Sequence, residues 1–372
     1  MAARFRGWAG VIAACAVTAA CGGGSSSQND GGVDAAPSDA TTSPDTPSSN
    51  DAQSDSSPQG DGGCSLGQTE FPTTSVIYQD ISSASIDSQW TNGLDLSQVI
   101  ANGFGGPFQL DPSFTVNYAD SCVARRSFTE PESALPDCDT APVPIPAGGA
   151  TEGYPNYYCA NAGDDCHLLV YQGTRLYELY QGSITGGQAT GGTFTGSCLV
   201  VWDLTHDYWQ PGTPFSRGDG CNGADAADMP IAPLLLKKAE IAAHQINHAM
   251  RFTIGNSKID NTYYVHPTTH LGGAGTNKLP YGTRLRLKAS FDVTSLPNAE
   301  AQAVGVALQT YGMFLDDGGS ENFLFVSATT DITDVIDTHD LAALTADKFE
   351  MVEGGTRYNF HQQNCTRTPI TN

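Results

Sequence analysis

Eight cysteines lie in residues 64–372 of this chain, beyond a predicted N-terminal export signal and Cys21. An even number of cysteines in an exported protein predicts up to four disulfides, and the sequence leaves all 105 pairings open. No two of the eight have the C-x-x-C spacing of a zinc ribbon or a thioredoxin-type site. We expect at least one bridge to involve the cysteines of the Pro-rich, loop-rich stretch 138–166. The eight are Cys64, Cys122, Cys138, Cys159, Cys166, Cys198, Cys221 and Cys365.

The first twenty residues have the layout of a secretory signal peptide. Arg4 and Arg6 precede a short apolar stretch at 9–20, which is too short to span a membrane. Small residues then lead to Cys21, as in the lipobox of bacterial lipoproteins, although Thr18 stands where Leu is usual. We predict a signal at 1–20 and lipidation of Cys21, which would anchor the protein in the membrane. The alternative is an ordinary cleaved signal without a lipid.

Residues 21–63 are predicted to form the lipidated cysteine and a disordered tether. Of the 42 residues from Gly22 to Gly63, 10 are Ser, 8 are Gly and 7 are Asp, and Val33 is the only branched aliphatic residue. Such a segment cannot bury enough apolar surface to offset its loss of conformational entropy. Residues 64–372 contain no second linker and no internal repeat, so we predict that they form a single domain.

The charge of the chain excludes several classes of function. Its formal net charge is −23, and a protein that neutralises phosphates needs a basic surface, so we expect no binding to nucleic acid. No apolar run reaches the 18 residues of a spanning helix. Together with the signal, these features predict an exported, lipid-anchored protein of the bacterial cell envelope, at the outer membrane or the cell surface.

Several stretches have the pattern of β-strands. Residues 284–293 alternate strictly between polar and apolar side chains, which predicts a half-buried strand with Arg284, Arg286 and Lys288 on its polar face. Residues 167–171 and 175–180 flank a short link around Gly173 and predict a β-hairpin. The apolar stretches 197–202 and 322–327 predict two more strands.

Signals for helices are fewer. Residues 298–315 have apolar side chains at helical spacing after Pro297, and a shorter helix is predicted within 234–244. We therefore predict a mainly β domain, most simply a β-sandwich with two or so short helices packed on it and stabilised by disulfides.

Two groups of motifs resemble a family of secreted bacterial proteins that are usually labelled hypothetical. The first group lies within 142–180, and the second comprises 224–253, 286–292 and 311–317. The resemblance covers roughly residues 140 to 330 and implies no activity, cofactor or fold. The family's pattern often has Gly at the position of His244, which argues against a role for this histidine.

Carboxylates, histidines and aromatic residues gather near several predicted strand ends. The sequence has no G-x-S-x-G, H-E-x-x-H, Walker A or EF-hand signature. Paired carboxylates serve acid and base chemistry on glycosidic bonds, and aromatic rings pack against sugars. An Arg that neutralises a uronate, together with a His that moves the proton, would suit a polysaccharide lyase. The catalytic candidates are Glu178, His248, Arg251 and Asp225.

Other residues are candidates for binding. Arg286 and Lys288 concentrate positive charge on one strand of an acidic protein, which would suit an anionic ligand. The structural alternatives are a solvated sheet face for these residues and a helix cap for Asp225. The binding candidates are Asp203, Asp228, His167, Arg286, Lys288 and Trp202.

We expect neither a cofactor nor a metal. Two histidine pairs at i, i+4 spacing, His244 with His248 and His266 with His270, could share a metal on a helix, but Pro267 and the strand-like pattern after Gln245 argue against it. Two functions remain. The first is an enzyme acting on extracellular polysaccharide, either a glycosidase or a lyase, and the second is a non-catalytic surface lipoprotein that binds glycan or protein.

Overall fold

The computed structural model describes most of the chain after the predicted tether. All described residues belong to one compact unit, Ser57–Asn372. The predicted signal, Cys21 and the tether lie outside the described residues. The described ranges are 63–87, 108–130, 135–161, 163–208, 217–319, 324–352 and 354–372, with the backbone alone for 324–327.

The fold is mainly β, as predicted, with two α-helices among the described residues. The helices are α1 (Lys238–Ala242) and α2 (Ala299–Thr310). The strands are β1 (Phe108–Phe114), β2 (Val116–Ala119), β3 (Arg125–Arg126), β4 (Val143–Pro144), β5 (Leu168–Gln172), β6 (Arg175–Tyr180), β7 (Ser183–Ile184), β8 (Phe194–Thr195), β9 (Cys198–Asp203), β10 (Met250–Gly255), β11 (Ile259–Val265), β12 (Leu279–Tyr281), β13 (Arg284–Leu287), β14 (Met313–Gly319), β15 (Leu324–Thr329), β16 (Phe349–Val352) and β17 (Arg357–Asn359).

Two sheets form the body of the domain. The six-stranded sheet is mixed and has the order β1-β15-β10-β14-β13-β16, with β10 and β14 parallel neighbours at its centre. The four-stranded sheet has the order β2-β5-β6-β9 and contains the predicted β5–β6 hairpin. A three-stranded sheet, β12-β11-β17, and two short two-stranded pairs complete the architecture.

Both main sheets contribute side chains to one hydrophobic cluster, as a sandwich requires. Phe252 and Leu285 enter it from the six-stranded sheet, and Leu176 and Trp202 enter it from the four-stranded sheet. Because side chains alternate along a strand, Tyr177 and Leu179 point to the opposite face, where a second hydrophobic cluster covers them. The four-stranded sheet is therefore buried on both faces.

The strand predicted at 284–293 is shorter than expected and is buried on both faces. β13 ends at Leu287, and all four of its residues are buried. Arg284 donates hydrogen bonds to the carbonyl oxygens of Tyr311, Val76 and Gln79, so the predicted polar face lies against backbone acceptors. The alternation of polar and apolar residues predicted which side chains of β13 share a face. It did not predict that the segment around 76–79 covers the polar face.

The helix predicted at 298–315 begins as expected and ends five residues early. The Asn298 side chain accepts a hydrogen bond from the Ala301 N–H and caps α2. The helix stops at Thr310 because Gly312 takes a φ of +68° and β14 starts at the next residue. The helix predicted within 234–244 is α1, and a 3-10 turn, Ala232–Leu234, precedes it.

Four disulfides confirm the expected cysteine usage. Two of them involve the loop-rich stretch 138–166, as predicted. Such a set of bridges indicates an oxidising compartment outside the cytoplasm. Neither described α-helix has the length and apolar character needed to cross a lipid bilayer. The bridges are Cys64–Cys122, Cys138–Cys198, Cys159–Cys166 and Cys221–Cys365.

Candidate functional site

A cleft of about 240 Å³ opens where the β5–β6 hairpin meets the loop after β9 and the end of β14. Three carboxylates, two histidines and one tyrosine border it. Two of these residues, His167 and Asp225, were predicted from the sequence. The ionisable residues that line it are Asp165, His167, Tyr180, Asp225, His270 and Asp317.

A buried arginine holds three carboxylates together beside this cleft. Arg251 lies on β10 and is 1% exposed. Its Nη2 is 2.5 Å from Asp225 Oδ1 and 3.6 Å from Asp317 Oδ2, and its Nε donates to Asp316 Oδ2 at 3.0 Å. The Phe114 ring covers the guanidinium at 5.1 Å. Charged groups this deeply buried are stable only when paired, and here one cation faces three acids.

The local fold explains why these groups meet. β10 and β14 are parallel neighbours, and Arg251 pairs in register with Phe314. The register shifts between Phe252 and Thr253, so that Asp316 has no partner on β10 and Asp317 faces Thr253. Asp225 approaches from the loop, where its Oδ2 accepts hydrogen bonds from the N–H groups of Ala227 and Met229. These bonds lie within a turn and no helix begins there, so the helix cap predicted for Asp225 is wrong.

Burial shifts the protonation of all three acids in the same direction. It raises the pKa of Asp316 to about 7 and raises the pKa of Asp317, and in both cases Arg251 opposes the shift. Burial, followed by the charge of Asp316, also raises the pKa of Asp225. One guanidinium cannot balance three carboxylates at close range, so the cluster favours keeping at least one proton.

His167 forms a second charged pair at the edge of the cleft. Its Nδ1 lies 2.6 Å from Glu152 Oε2, and its Nε2 lies 2.9 Å from the carbonyl oxygen of Ala224. Burial opposes the charged imidazole, but the Glu152 carboxylate outweighs it and raises the pKa of His167. A carbonyl oxygen can only accept, so Nε2 carries a hydrogen. The ring is held in place on both sides.

The predicted catalytic residue Glu178 does not border the cleft. It lies on β6, is fully buried and faces the hydrophobic cluster between the sheets. Its Oε2 accepts a hydrogen bond from Trp202 Nε1, and its Oε1 accepts from the backbone N–H groups of Ile231 and Ala232. Burial raises the pKa of Glu178 to about 7, although these donors oppose the shift. The predicted binding residue Trp202 is its buried partner.

His248 is also separate from the cleft lining. Its Nε2 lies 3.1 Å from Glu240 Oε2 and its Nδ1 lies 2.8 Å from the Ala249 carbonyl oxygen. The other members of the two histidine pairs have different partners, since His244 contacts Glu300 and His266 contacts Asp219. His270 contacts the carbonyl oxygen of Ala226, so the two histidines of each pair have different protein partners.

Two of the predicted binding aspartates have local structural contacts. Asp228 is buried, where it accepts hydrogen bonds from Arg217 Nη1 at 3.0 Å and from the Thr269 hydroxyl at 2.9 Å. Asp203 is exposed at the end of β9, and its Oδ1 accepts hydrogen bonds from the backbone N–H and the hydroxyl of Thr205. Neither lines the cleft.

The predicted basic surface is turned toward the protein itself. Arg286 is 7% exposed, pairs with Glu350 at 2.6 Å and donates to the carbonyl oxygens of Ile81 and Ala84. Lys288 Nζ donates to the carbonyl oxygen of Asp347 at 2.7 Å. β13 is separated from β10 by β14, so these two cations do not join the Arg251 cluster.

The structure also brings to the cleft residues that were not predicted as site residues. Asp317 and Asp165 border it, and the Tyr180 hydroxyl donates to Asp165 Oδ1 at 2.6 Å. Adjacent aspartates at 316 and 317, which follow the apolar residues 313–315 within β14, were the available signal. Two adjacent acids in a strand are common on solvated surfaces. The contact with Arg251 is what distinguishes Asp316 and Asp317 from such surface pairs, and the sequence does not reveal it.

Compared with known proteins, the chain matches no family model, no curated protein and no solved structure. The resemblance of residues 140–330 to secreted bacterial proteins stays a prediction.

Proposed function

We propose that this protein is a cell-envelope lipoprotein whose cleft hydrolyses glycosidic bonds in extracellular polysaccharide. The observation that carries the proposal is the sharing of one arginine nitrogen by two carboxyl groups that border the same cleft, those of Asp225 and Asp317. The two distances from Arg251 Nη2 limit the separation of Asp225 Oδ1 and Asp317 Oδ2 to about 6 Å at most. Glycosidases that retain configuration place their two carboxyl groups about 5–5.5 Å apart.

The two carboxyl groups differ in access, which suits different roles. The Asp317 side chain is 26% exposed, whereas that of Asp225 is fully buried beside Arg251. Burial raises the pKa of Asp317, which is the direction that a general acid needs. We assign Asp317 as the proton donor to the leaving oxygen and Asp225 as the second carboxyl group. Tyr180 supplies an aromatic ring at the rim.

The charges of the cleft favour a hydrolase over a lyase. A lyase needs a cation that is free to neutralise the uronate carboxylate. Arg251 is already surrounded by three protein carboxylates, and Arg286 is paired with Glu350. A further carboxylate in the cleft would meet Asp165 and Asp317, so we expect neutral polysaccharides to be better substrates than acidic ones.

The enzymatic proposal is tested by screening the purified full chain for reducing-sugar release from neutral and acidic polysaccharides, with 235-nm absorbance as the readout for a lyase. Asp317→Asn should lower turnover at least 100-fold while leaving the melting temperature within a few degrees. Asp203→Asn, an exposed aspartate outside the cleft, is the matched control. Equal turnover in the two variants would show that Asp317 is not the acid, and a rise at 235 nm would indicate a lyase.

A non-catalytic glycan-binding protein is the second candidate. It is favoured by the full occupation of the polar atoms at the cleft edge, since both oxygens of Asp225 and both ring nitrogens of His167 already have protein partners. Groups so restrained can recognise hydroxyls without taking part in a reaction. Glycan binding without turnover in the same screen would favour this role.

We also propose that Cys21 carries the lipid that holds the protein in the envelope. The supporting observations are the lipobox-like sequence before Cys21 and the acidic, Ser- and Gly-rich segment after it. Cys21→Ala should move the protein from the membrane fraction to the soluble exported fraction. A wild-type protein that is already soluble would contradict lipidation.

A further inference from the structure

A second polar cavity is lined by residues that neighbour cleft residues along the chain. Its volume is about 470 Å³, and we call it the hydroxyl pocket. Asp164 and Gln181 border the hydroxyl pocket, while their chain neighbours Asp165 and Tyr180 border the cleft. Hydroxyl groups supply much of the remaining lining, from Thr129, Ser183, Thr195 and Ser197.

Glu130, which borders the hydroxyl pocket, has a carboxylate oxygen that lacks a partner. Glu130 Oε2 is buried and makes no hydrogen bond within the described part of the chain. Burial, followed by the charge of Asp139, raises the pKa of Glu130. An unsatisfied buried acceptor costs free energy, and a ligand that donates to it recovers that cost.

Gln181 provides a second polar group held in an uncommon conformation. Its φ is +54°, in the left-handed region that non-glycine residues rarely adopt. Its Oε1 accepts a hydrogen bond from the Ser197 hydroxyl at 2.5 Å. No hydrogen bond within the described residues uses its amide NH₂ group, which is therefore a donor for a ligand.

The charge of the lining selects among polar ligands. Its two ionisable side chains, Glu130 and Asp164, are both acidic, and no Lys, Arg or His belongs to the described lining. An anionic ligand would be repelled, whereas an ammonium group would both donate to the Glu130 carboxylate and compensate its charge. The hydroxyl and amide groups of the lining can exchange hydrogen bonds with a ligand that carries several hydroxyls.

We propose that the hydroxyl pocket is a binding site for an amine-bearing, polyhydroxylated ligand, with Glu130 as the partner of the ammonium group. Such a ligand is an amino sugar if the cleft acts on polysaccharide, and in this one respect the inference rests on the proposed function. Binding itself does not depend on turnover in the cleft, because the hydroxyl pocket and the cleft have no lining residue in common.

The test is calorimetric titration of the purified full chain with three ligands: a β-linked glucosamine dimer, its N-acetylated form and a glucose dimer. The buffer contains EDTA, so that no divalent cation bridges ligand and protein. Wild type should bind the glucosamine dimer at least tenfold more tightly than the other two. Equal affinity for all three, or no binding heat with any of them, would overturn the proposal.

Two variants locate the binding. Glu130→Gln should remove the preference for the glucosamine dimer, and Gln181→Gly, which suits the positive φ, should weaken the binding of all three dimers. Glu70→Gln, an exposed site outside the pocket, is the matched control and should bind as wild type does. Unchanged affinities in both pocket variants would contradict the proposal. Binding that persists in Asp317→Asn separates this result from any failure of the hydrolase assignment.

Discussion

At the scale of single residues, the polar groups in the core divide into those that support the fold and those that border a cavity. Glu178 ties β6 to the backbone at 231–232, whereas Asp317 faces a cleft. Desolvation is the largest cause of the raised pKa in both, although Glu178 is fully buried and Asp317 is partly exposed. A raised pKa therefore does not identify a site unless the group also borders a cavity.

Glu178→Gln should destabilise the protein without affecting the cleft. The amide keeps one oxygen, but its NH₂ group then faces an N–H donor, so a buried hydrogen bond is lost. We expect the free energy of unfolding to fall by about 1–3 kcal/mol. Urea denaturation measures the change, with the exposed Glu70→Gln as the control. A loss of turnover or glycan binding with unchanged stability would mean that Glu178 acts in the site.

The Arg251 cluster should make stability depend on pH. Burial raises the pKa of Asp316 from 3.8 to about 7 in the folded state, so the folded protein binds this proton more tightly than the unfolded chain does. The resulting stabilisation is complete below the unfolded pKa and is lost as the pH rises through about 7. We expect a loss of roughly 2 kcal/mol between pH 5 and pH 7.

Asp316→Asn isolates this contribution, because the amide oxygen still accepts from Arg251 but the group no longer titrates. The variant should show a shallower decline of unfolding free energy over pH 5–7 than wild type does, as measured by chemical denaturation at several pH values. Asp334→Asn, at an exposed carboxylate, should keep the wild-type slope. Identical slopes in wild type and Asp316→Asn would rule out Asp316 as the titrating group.

At the scale of secondary-structure elements, chain turns explain where helices stop. α1 ends in a Schellman motif, in which the N–H of Gln245 bonds the carbonyl of Glu240 and the N–H of His244 bonds that of Ile241. His244 takes the left-handed position with a φ of +53°. Glycine is the usual residue at such a position, because it has no Cβ to clash at a positive φ.

His244→Gly should therefore be more stable than His244→Ala. Both variants lose the exposed contact with Glu300 at 3.4 Å, which contributes little. Only alanine keeps a Cβ at a positive φ, so we expect the glycine variant to be more stable by about 1 kcal/mol. Thermal melting of the two variants side by side checks this difference, and a more stable alanine variant would refute the assignment of a strained C-terminal cap.

At the scale of the whole molecule, disulfides connect parts of the chain that are distant in sequence. Cys221–Cys365 closes a separation of 144 residues and joins the C-terminal segment to the loop after β9, whereas Cys159–Cys166 closes only 7. In the chain-entropy model, a bridge stabilises by restricting the unfolded chain, and the effect grows with the length of the loop. The two bridges should therefore contribute unequally.

Replacing both cysteines of the long bridge by alanine should cost more than replacing those of the short one. The chain-entropy model predicts about 5 kcal/mol for Cys221/Cys365 and about 2 kcal/mol for Cys159/Cys166. Denaturation of the two double variants measures the difference, and free-thiol labelling of the unfolded wild type should find no reactive cysteine among the eight. Equal losses would mean that native contacts, rather than loop length, determine what each bridge contributes.

Local patterns were enough to predict the fold class and several of its elements. Two strand-like stretches that flank a short link around Gly173 predict the β5–β6 hairpin, an asparagine after a proline predicts the start of α2, and an even cysteine count predicts the bridges. Each of these signals depends on residues that are close together in the sequence. They say nothing about which strands become neighbours or which cysteines pair.

The candidate site was decided by tertiary contacts. The sequence placed Glu178, His248, Arg251 and Asp225 in one set, but the structure keeps only Arg251 and Asp225 together and adds Asp316 and Asp317. The reason is physical. A buried charge is stable only beside partners, and its partners come from strands adjacent in the sheet, here β10 and β14, which are about sixty residues apart in the chain.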